Sequence, residues 1–422
     1  MKFFAGARED DADPITDVAD AESYVAEASF SGDQFGRVGV ELEWLVYYRD
    51  DHCRVVSAEE MLAVVLPSKT SGSLSTEPGG QLELSSIPAD LETCISESKA
   101  DMSSLRERFR AAGLELVGVG VDPCRPPTLK IDVPRYNAMV QAFDLSGKAG
   151  RRMLCSTASV QVCVDAAQSD SVAVDFRTKW QSAYALGPIL VACFANSPIF
   201  NGRVTGWRSA REATWMDIDP SRTGIPSMEL EPQLSWARYA LEAFVICIRN
   251  EDGRPWTAPQ SFTFHQWIAS GWPRRPNLGD LRYHLTTLFP PVRPRGYLEL
   301  RMIDAQTDDN WIVAAAVVHA LLDDSKAVDA VRDIASTLSW PAPESEIDTW
   351  RTAAREGLTN PRFSRAAMQC FEVALSSLAR TGTTSEIINL VELFADRYVF
   401  RGRCPADDLT AIGTADDGDA RL

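Results

Sequence analysis

Histidine is scarce in this chain, with four residues in 422. That gives little support to a histidine-built zinc site and leaves any metal to oxygen ligands. Basic charge is also short, with 42 Lys and Arg against 59 Asp and Glu and a net charge of −17. A surface that tracks a phosphate backbone needs a basic excess, so nucleic acid is not expected as the main partner. Nucleotides stay open, because a few arginines and metal ions can hold a triphosphate. No apolar run reaches the length of a membrane-spanning helix, and the opening MKFFAGARED lacks a signal peptide's apolar core. No membrane association is expected. The nine cysteines show no CxxC spacing and lie mostly in apolar segments, as reduced thiols of a cytoplasmic protein do. No Walker-type GxxxxGKS or GxxxxGKT, no GxGxxG after a strand and no GxSxG elbow is present.

What the chain does have is carboxylates on strands. Val38-Gly39-Val40-Glu41-Leu42-Glu43-Trp44 alternates with period two, so Glu41 and Glu43 share one face, roughly 6–7 Å apart along the strand. Two neighbouring carboxylates repel and lose hydration on burial, so cations are expected beside them. After the Pro78-Gly79-Gly80 turn, Gln81 and Glu83 share a face of a second strand. A third strand, Tyr297–Ile303, places Tyr297, Glu299 and Arg301 together, and Ser159, Gln161 and Cys163 share a face of another. Taken singly, each pattern also fits the solvated face of a half-exposed sheet. Together they suit a concave surface binding hard divalent ions.

The remaining pattern predicts one α+β domain over residues 1–404 with a mainly helical part at about 310–400. Residues 405–422 are expected to be a disordered tail. Helices are expected from Asp13-Pro14 to Ser29, over 57–66, 90–112, 171–195 and 275–290, with 233–249 open between helix and strand. Tyr47–Asp51 reads as a turn, Leu114–Val121 as a strand, 123–150 as irregular surface, and Met153–Asp165 as a strand. Four arginines, Arg203, Arg208, Arg211 and Arg222, crowd the loop after Asn201. They suit phosphate or carboxylate, or equally the acidic neighbours of a solvated loop. Trp207, Trp215, Trp236 and Trp267 read as core or pocket walls, and Cys155 and Cys163 as inert strand thiols.

Several of these segments, taken in order, resemble the glutamate–cysteine ligase family of the plant and bacterial type. They are Val38–Glu43, Glu77–Ser85, Ser159–Val162, Ala195–Pro198 with Gly206-Trp207, Arg211, Trp215, Asp219 and Arg222–Gly224, His284–Pro290, and Gly296–Arg301. The resemblance spans roughly residues 37–305. The run Pro290–Gln306 is most similar to the actinobacterial branch that makes γ-glutamylcysteine for ergothioneine biosynthesis.

The resemblance implies a glutamine-synthetase-like fold, a curved antiparallel sheet forming a funnel surrounded by helices. It implies ATP-dependent joining of the glutamate γ-carboxylate to the cysteine amine through γ-glutamyl phosphate, releasing ADP and phosphate. ATP would be a co-substrate with two or three Mg2+ ions, and the protein a monomer or weak homodimer. Carried over by position, Glu41, Glu43, Glu83 and Glu299 would be metal ligands. Arg211 and Arg301 would hold glutamate and the transferring phosphoryl group, forming the catalytic set with Glu43. Gln161, where some relatives place a further metal ligand, joins Arg211 and Arg301 in the substrate-binding set. Glu77, just before the turn, is left open between a structural and a site role. Two departures bear on glutamate recognition. Cys163 stands where relatives commonly carry Asn, and Met153–Thr157 lacks their Arg-Thr pair. A ligase acting on another amine and a non-catalytic metal- or nucleotide-binding relative are the competing readings.

Overall fold

The computed structural model describes residues 9–32, 36–66, 68–166, 175–250, 253–338 and 346–415. Its organising element is strand β1 (Val38–Tyr48), which has three antiparallel neighbours. β3 (Leu82–Ser85) pairs along one edge, so that Glu43 lies opposite Glu83. β5 (Ser159–Asp165) pairs along the other edge, with Glu41 opposite Gln161. Past the site, β4 (Leu114–Val117) takes Leu45 to Tyr48. β2 (Ser73–Thr76) extends the sheet beyond β3, while β9 (Tyr297–Asp304) and β8 (Val292–Pro294) extend it beyond β5. A two-stranded hairpin, β6 (Ile199–Phe200) and β7 (Arg203–Val204), stands apart.

Alternation along β1 sends Val38, Val40, Leu42, Trp44 and Val46 into the main core. Glu41 and Glu43 take the opposite face. Beyond Glu43 that face turns apolar, and Leu45 and Tyr47 bury against Val119, Ala158 and Ala305. The carboxylate patch therefore ends where its neighbours can no longer hydrate or pair it.

In chain order the helices are α1 (Val18–Phe30), α2 (Ala58–Val65), α3 (Leu91–Ala111), α4 (Pro134–Asp144), α5 (Ala149–Ser156), α6 (Phe176–Phe194), α7 (Ala210–Met216), α8 (Pro220–Thr223) and α9 (Pro232–Glu242). They continue as α10 (Phe264–Ser270), α11 (Leu278–Leu285), α12 (Asn310–Asp323), α13 (Ser325–Ser336), α14 (Glu346–Glu356), α15 (Pro361–Thr381), α16 (Ser385–Arg397) and α17 (Pro405–Ala415). α12 and the second half of α6 are apolar nearly all round and bury on every side. They form the central layer between the sheet and the C-terminal helices.

Five expectations need correction. Pro14 does not start α1; it bridges to Asn277, and Asp17 caps the helix instead. Tyr47 and Tyr48 belong to β1, because β4 supplies them a partner. That strand stops at Val117, four residues before the expected end. Residues 123–150 hold α4 and the start of α5, which runs on to Ser156, so Met153 to Ser156, with Cys155, are helical rather than part of a strand. The expected tail is helical from Pro405 to Ala415, started by Pro at the first helical position and secured by burial of Cys404 and Ala406; 416–422 lie outside the described residues. Segment 233–249 resolves as helix only to Glu242.

The Pro78-Gly79-Gly80 turn sits directly on α5. A β-carbon at Gly79 would lie 2.1 Å from the Cys155 carbonyl oxygen, whereas one at Gly113 would meet open space. Gly79→Ala is therefore expected to lose about 2 kcal/mol or more in denaturant unfolding through overpacking. It should also lower turnover, because the turn carries Glu77 and leads into Glu83. Gly113→Ala, with a positive φ, should lose only about 1 kcal/mol and leave turnover intact.

Candidate active site

A cavity of about 340 Å³ opens on the carboxylate face of the sheet. Its floor is Glu41, Glu43, Glu83, Gln161 and Arg301. One wall is the turn bearing Glu77, and another comes from α4 and α5 through Tyr136, Met139, Met153 and Leu154. Trp215 of α7, Arg135 of α4, Arg282 of α11, and Arg293 and Arg295 of the β8–β9 hairpin add to the lining, with Tyr24 of α1.

The carboxylates are held in place individually. Glu43 accepts from the Ser159 backbone N–H at 2.9 Å and from the Gln161 side-chain amide at 3.0 Å. Glu83 accepts from Ser75 Oγ at 2.9 Å and Ser85 Oγ at 3.1 Å. Collectively they repel. Burial, then the charges of Glu299 and Glu83, pushes Glu41 up to about 8. Burial and Glu83 push Glu43 up to about 7, and burial with Glu83 and Glu43 pushes Glu77 up to about 8. Glu77 thus belongs electrostatically to the set that the sequence left it beside.

Glu299 behaves oppositely. Its carboxylate is fully buried, with Arg293 Nε on Oε2 at 2.5 Å and Arg293 Nη2 on Oε1 at 3.0 Å. Arg301 stands 3.1 Å and Arg295 3.7 Å from Oε1. Burial alone would raise its pKa, but the three guanidiniums outweigh it and hold the carboxyl well below the usual range. Both oxygens face arginine, so Glu299 is not placed as a metal ligand. Gln161 bridges the two charge sets, donating to Glu43 and accepting from Arg301.

Arg211 is buried behind Trp215, its guanidinium 4.6 Å from the ring centroid. Its Nη2 donates to the Arg301 carbonyl at 2.8 Å. It does not line the cavity. The other arginines of that loop also serve elsewhere. Arg208 pairs with Asp407, Arg222 pairs with Asp219 and donates to the Thr287 carbonyl, and Arg203 is exposed. Arg293 and Arg295 were present in the sequence as Arg-Pro-Arg before Glu299. Only strand pairing, which sets Arg293 opposite Glu299, shows that they build the site.

Among the described residues no three His, Cys, Asp or Glu side chains stand close enough to hold a metal ion as placed. The donor chemistry nevertheless suits one. Glu41, Glu43, Glu77 and Glu83 are hard oxygen donors facing one cavity, and three of them retain protons that a cation would replace.

Residues 37–422 match the sequence model of glutamate-cysteine ligase family 2 (GCS2). The chain belongs to that family. It is 38% identical over 410 residues to glutamate–cysteine ligase EgtA of Mycobacterium tuberculosis H37Rv, covering 94% of this chain and 90% of that protein. Against EgtA of Mycolicibacterium smegmatis the identity is 36% over 408 residues, with 94% and 92% covered. The chloroplastic glutamate–cysteine ligase of Arabidopsis thaliana is 29% identical, with 80% and 65% covered. In structure the chain resembles the glutamate–cysteine ligase of Francisella tularensis in complex with AMP, at a TM-score of 0.54 and 12% identity, covering 90% and 85% of the two chains. At that identity the likeness is one of fold, and it is the glutamine-synthetase-like α+β fold expected for a GCS2 chain. Among the described residues no helix is long and apolar enough to cross a membrane, and all nine cysteines are free thiols.

The raised carboxyls of this GCS2 site carry a stability signature. Above the ordinary carboxyl value of 4.5 the unfolded chain releases these protons, while the folded site keeps them to about pH 7–8. The folded state then binds more protons, so stability falls as pH rises through that window. Cation-free protein is expected to melt at least about 2 °C lower at pH 8.5 than at pH 5.5, and Glu83→Gln should flatten the fall. A flat or rising profile in the wild type would contradict the charge assignment.

Proposed function

We propose that this protein catalyses the ATP-dependent ligation of L-glutamate, through its γ-carboxylate, to the amine of L-cysteine, giving γ-glutamylcysteine, ADP and phosphate for ergothioneine biosynthesis. The observation that carries the reading is a single cavity where four carboxylates face five arginines, in a chain of this ligase family. The mycobacterial relatives named glutamate–cysteine ligase support the choice of substrates, and the Pro290–Gln306 run supports the pathway.

A carboxylate is a poor electrophile, so the glutamate γ-carboxylate must first take the terminal phosphoryl group of ATP. The cysteine amine then attacks the resulting acyl phosphate at carbon; the C–N bond forms, the amine gives up a proton, and the C–O bond breaks with its electron pair leaving on phosphate. Such transfer is catalysed chiefly by positioning and charge compensation. Glu41, Glu43, Glu77 and Glu83 would hold two or three Mg2+ ions, which supply charge neutralisation of the triphosphate when bound.

Arg301, on the cavity floor and fixed by Gln161 and Glu299, is assigned to the transferring phosphoryl oxygens, with Arg293 and Arg295 beside it. Glu299 serves by locking these guanidiniums. Arg211 fixes the Arg301 backbone and reaches glutamate only through that residue, because Trp215 covers it.

The decisive assay is ADP release with glutamate and each common amino acid in turn. Cysteine is expected to be preferred, and preference for any other amine would replace this reading. Glu43→Gln is expected to lower kcat by about 100-fold or more, with a melting temperature at or above wild type at pH 8. Near-normal turnover at saturating magnesium would refute the role of Glu43.

A further inference from the structure

Strand β8 is three residues long and lies at the edge of the sheet, with β9 as its one partner strand. The hairpin that it forms with β9 carries Arg293 and Arg295 into the cavity lining. With Arg301 they surround one carboxylate, Glu299. Three guanidiniums on one carboxylate repel one another, so a short edge hairpin bearing two of them needs support from outside the sheet.

That support comes from the end of α1, in the segment before residue 37, where the family match begins. Ala21, Val25 and Ser29 form one buried stripe of this helix, four residues apart as a single helical face requires. Ser29 ends the stripe, 4% exposed, and lines the cavity beside Ala28. A hydroxyl at that depth needs a partner, and Ser29 Oγ accepts from Trp236 Nε1 of α9 at 2.9 Å. The Ser29 carbonyl is among the last four of the helix, which have no partner within it. Gly296 N–H, in the hairpin turn, donates to that carbonyl at 2.7 Å. Arg295 N–H closes the same turn on the Tyr297 carbonyl at 2.8 Å. Beyond Ser29 the chain runs so close to the turn that a β-carbon on Gly32 would lie 2.0 Å from the Gly296 carbonyl oxygen. Gly32 lies outside the left-handed region, so a methyl added there acts through this contact alone.

We propose that the end of α1 is a working part of the site, with Ser29 and Gly32 as positioning residues that seat the β8–β9 turn and so aim Arg295 at the terminal phosphoryl group of ATP. The phosphoryl assignment rests on the ligase reading; the seating of the turn does not.

Calorimetric titration of the full-length protein with MgATP and with MgADP, without amino acids, tests this apart from turnover. Gly32→Ala is expected to weaken MgATP at least about fivefold, because a displaced guanidinium loses its aim, and to leave MgADP within about twofold. Arg295→Ala should weaken MgATP in the same selective way, and Gly32→Ala should add nothing in that background. Ser29→Ala and Trp236→Phe, which break the same hydrogen bond, should each act in the same direction by a smaller factor and be non-additive with each other. They carry the test should Gly32→Ala fail to fold. Gly187→Ala, whose β-carbon would lie 2.0 Å from the Trp350 ring on α14 and away from the cavity, is expected to lower the melting temperature and leave both affinities within about twofold. Unchanged MgATP affinity in the α1 variants, equal weakening of MgATP and MgADP, or a full effect of Gly32→Ala in the Arg295→Ala background would overturn the proposal. A wild type with the expected Arg295 dependence that prefers an amine other than cysteine would remove the ligase reading and leave this inference standing.

Discussion

Like charges buried on one small surface are the constraint from which the rest of the site follows. Glu41, Glu43, Glu77 and Glu83 face one cavity, and three of them resist ionisation. Next to them, three arginines share one carboxylate, Glu299, and so present two positive charges that it does not neutralise. The two sets are kept apart by strand order, with Gln161 as the neutral link. A surface with separated anionic and cationic halves has a shaped preference for ligands that themselves carry both signs. A cation-bound polyanion is one, and an amino acid is another. Either would relieve repulsion among these carboxylates.

Holding such a surface together takes anchors outside it. Asp304, at the end of β9, accepts from Asn196 N–H at 2.8 Å, Ser197 Oγ at 2.7 Å and Ser209 Oγ at 2.9 Å. Ser197 Oγ in turn accepts from the Arg211 N–H at 3.1 Å. Asn196 itself ties the Gly118 and Ala305 carbonyls together. This knot joins the strand carrying Glu299 and Arg301 to the helix carrying Arg211 and Trp215. Each member is buried and hydrogen-bonded, so its loss would leave unsatisfied groups as well as a broken link. Residues 195–198 thus act through geometry and touch no ligand surface.

The sequence made the strands and long helices readable because their patterns are local. Period two placed Glu41 with Glu43, and helical spacing placed Leu91, Cys94, Ile95, Met102, Leu105 and Phe109 on one buried face of α3. What it concealed was relational. Arg293 gains its role from lying opposite Glu299, and Tyr47 and Tyr48 become strand only because β4 reaches them. α4 and α5 were hidden by a proline- and glycine-rich, basic stretch whose helices bury their apolar side against a second, smaller core with Trp215 and Phe289. Motif alone singles out Arg211 among the four arginines of its loop, yet its place behind Trp215 is a packing result that no spacing rule encodes.

Cys163 shows how such context decides chemistry. It occupies the site face of β5, opposite Gly39 on β1 and Glu299 on β9. Burial, then the charges of Glu41 and Glu299, pushes its thiol well above the ordinary range. A thiolate there would be buried beside the Glu41 and Glu299 carboxyls, so the group stays neutral. Neutral, it is neither a competent nucleophile nor a good metal ligand. Position 163 therefore offers the site face of β5 neither a hydrogen-bonding amide nor a reactive sulfur.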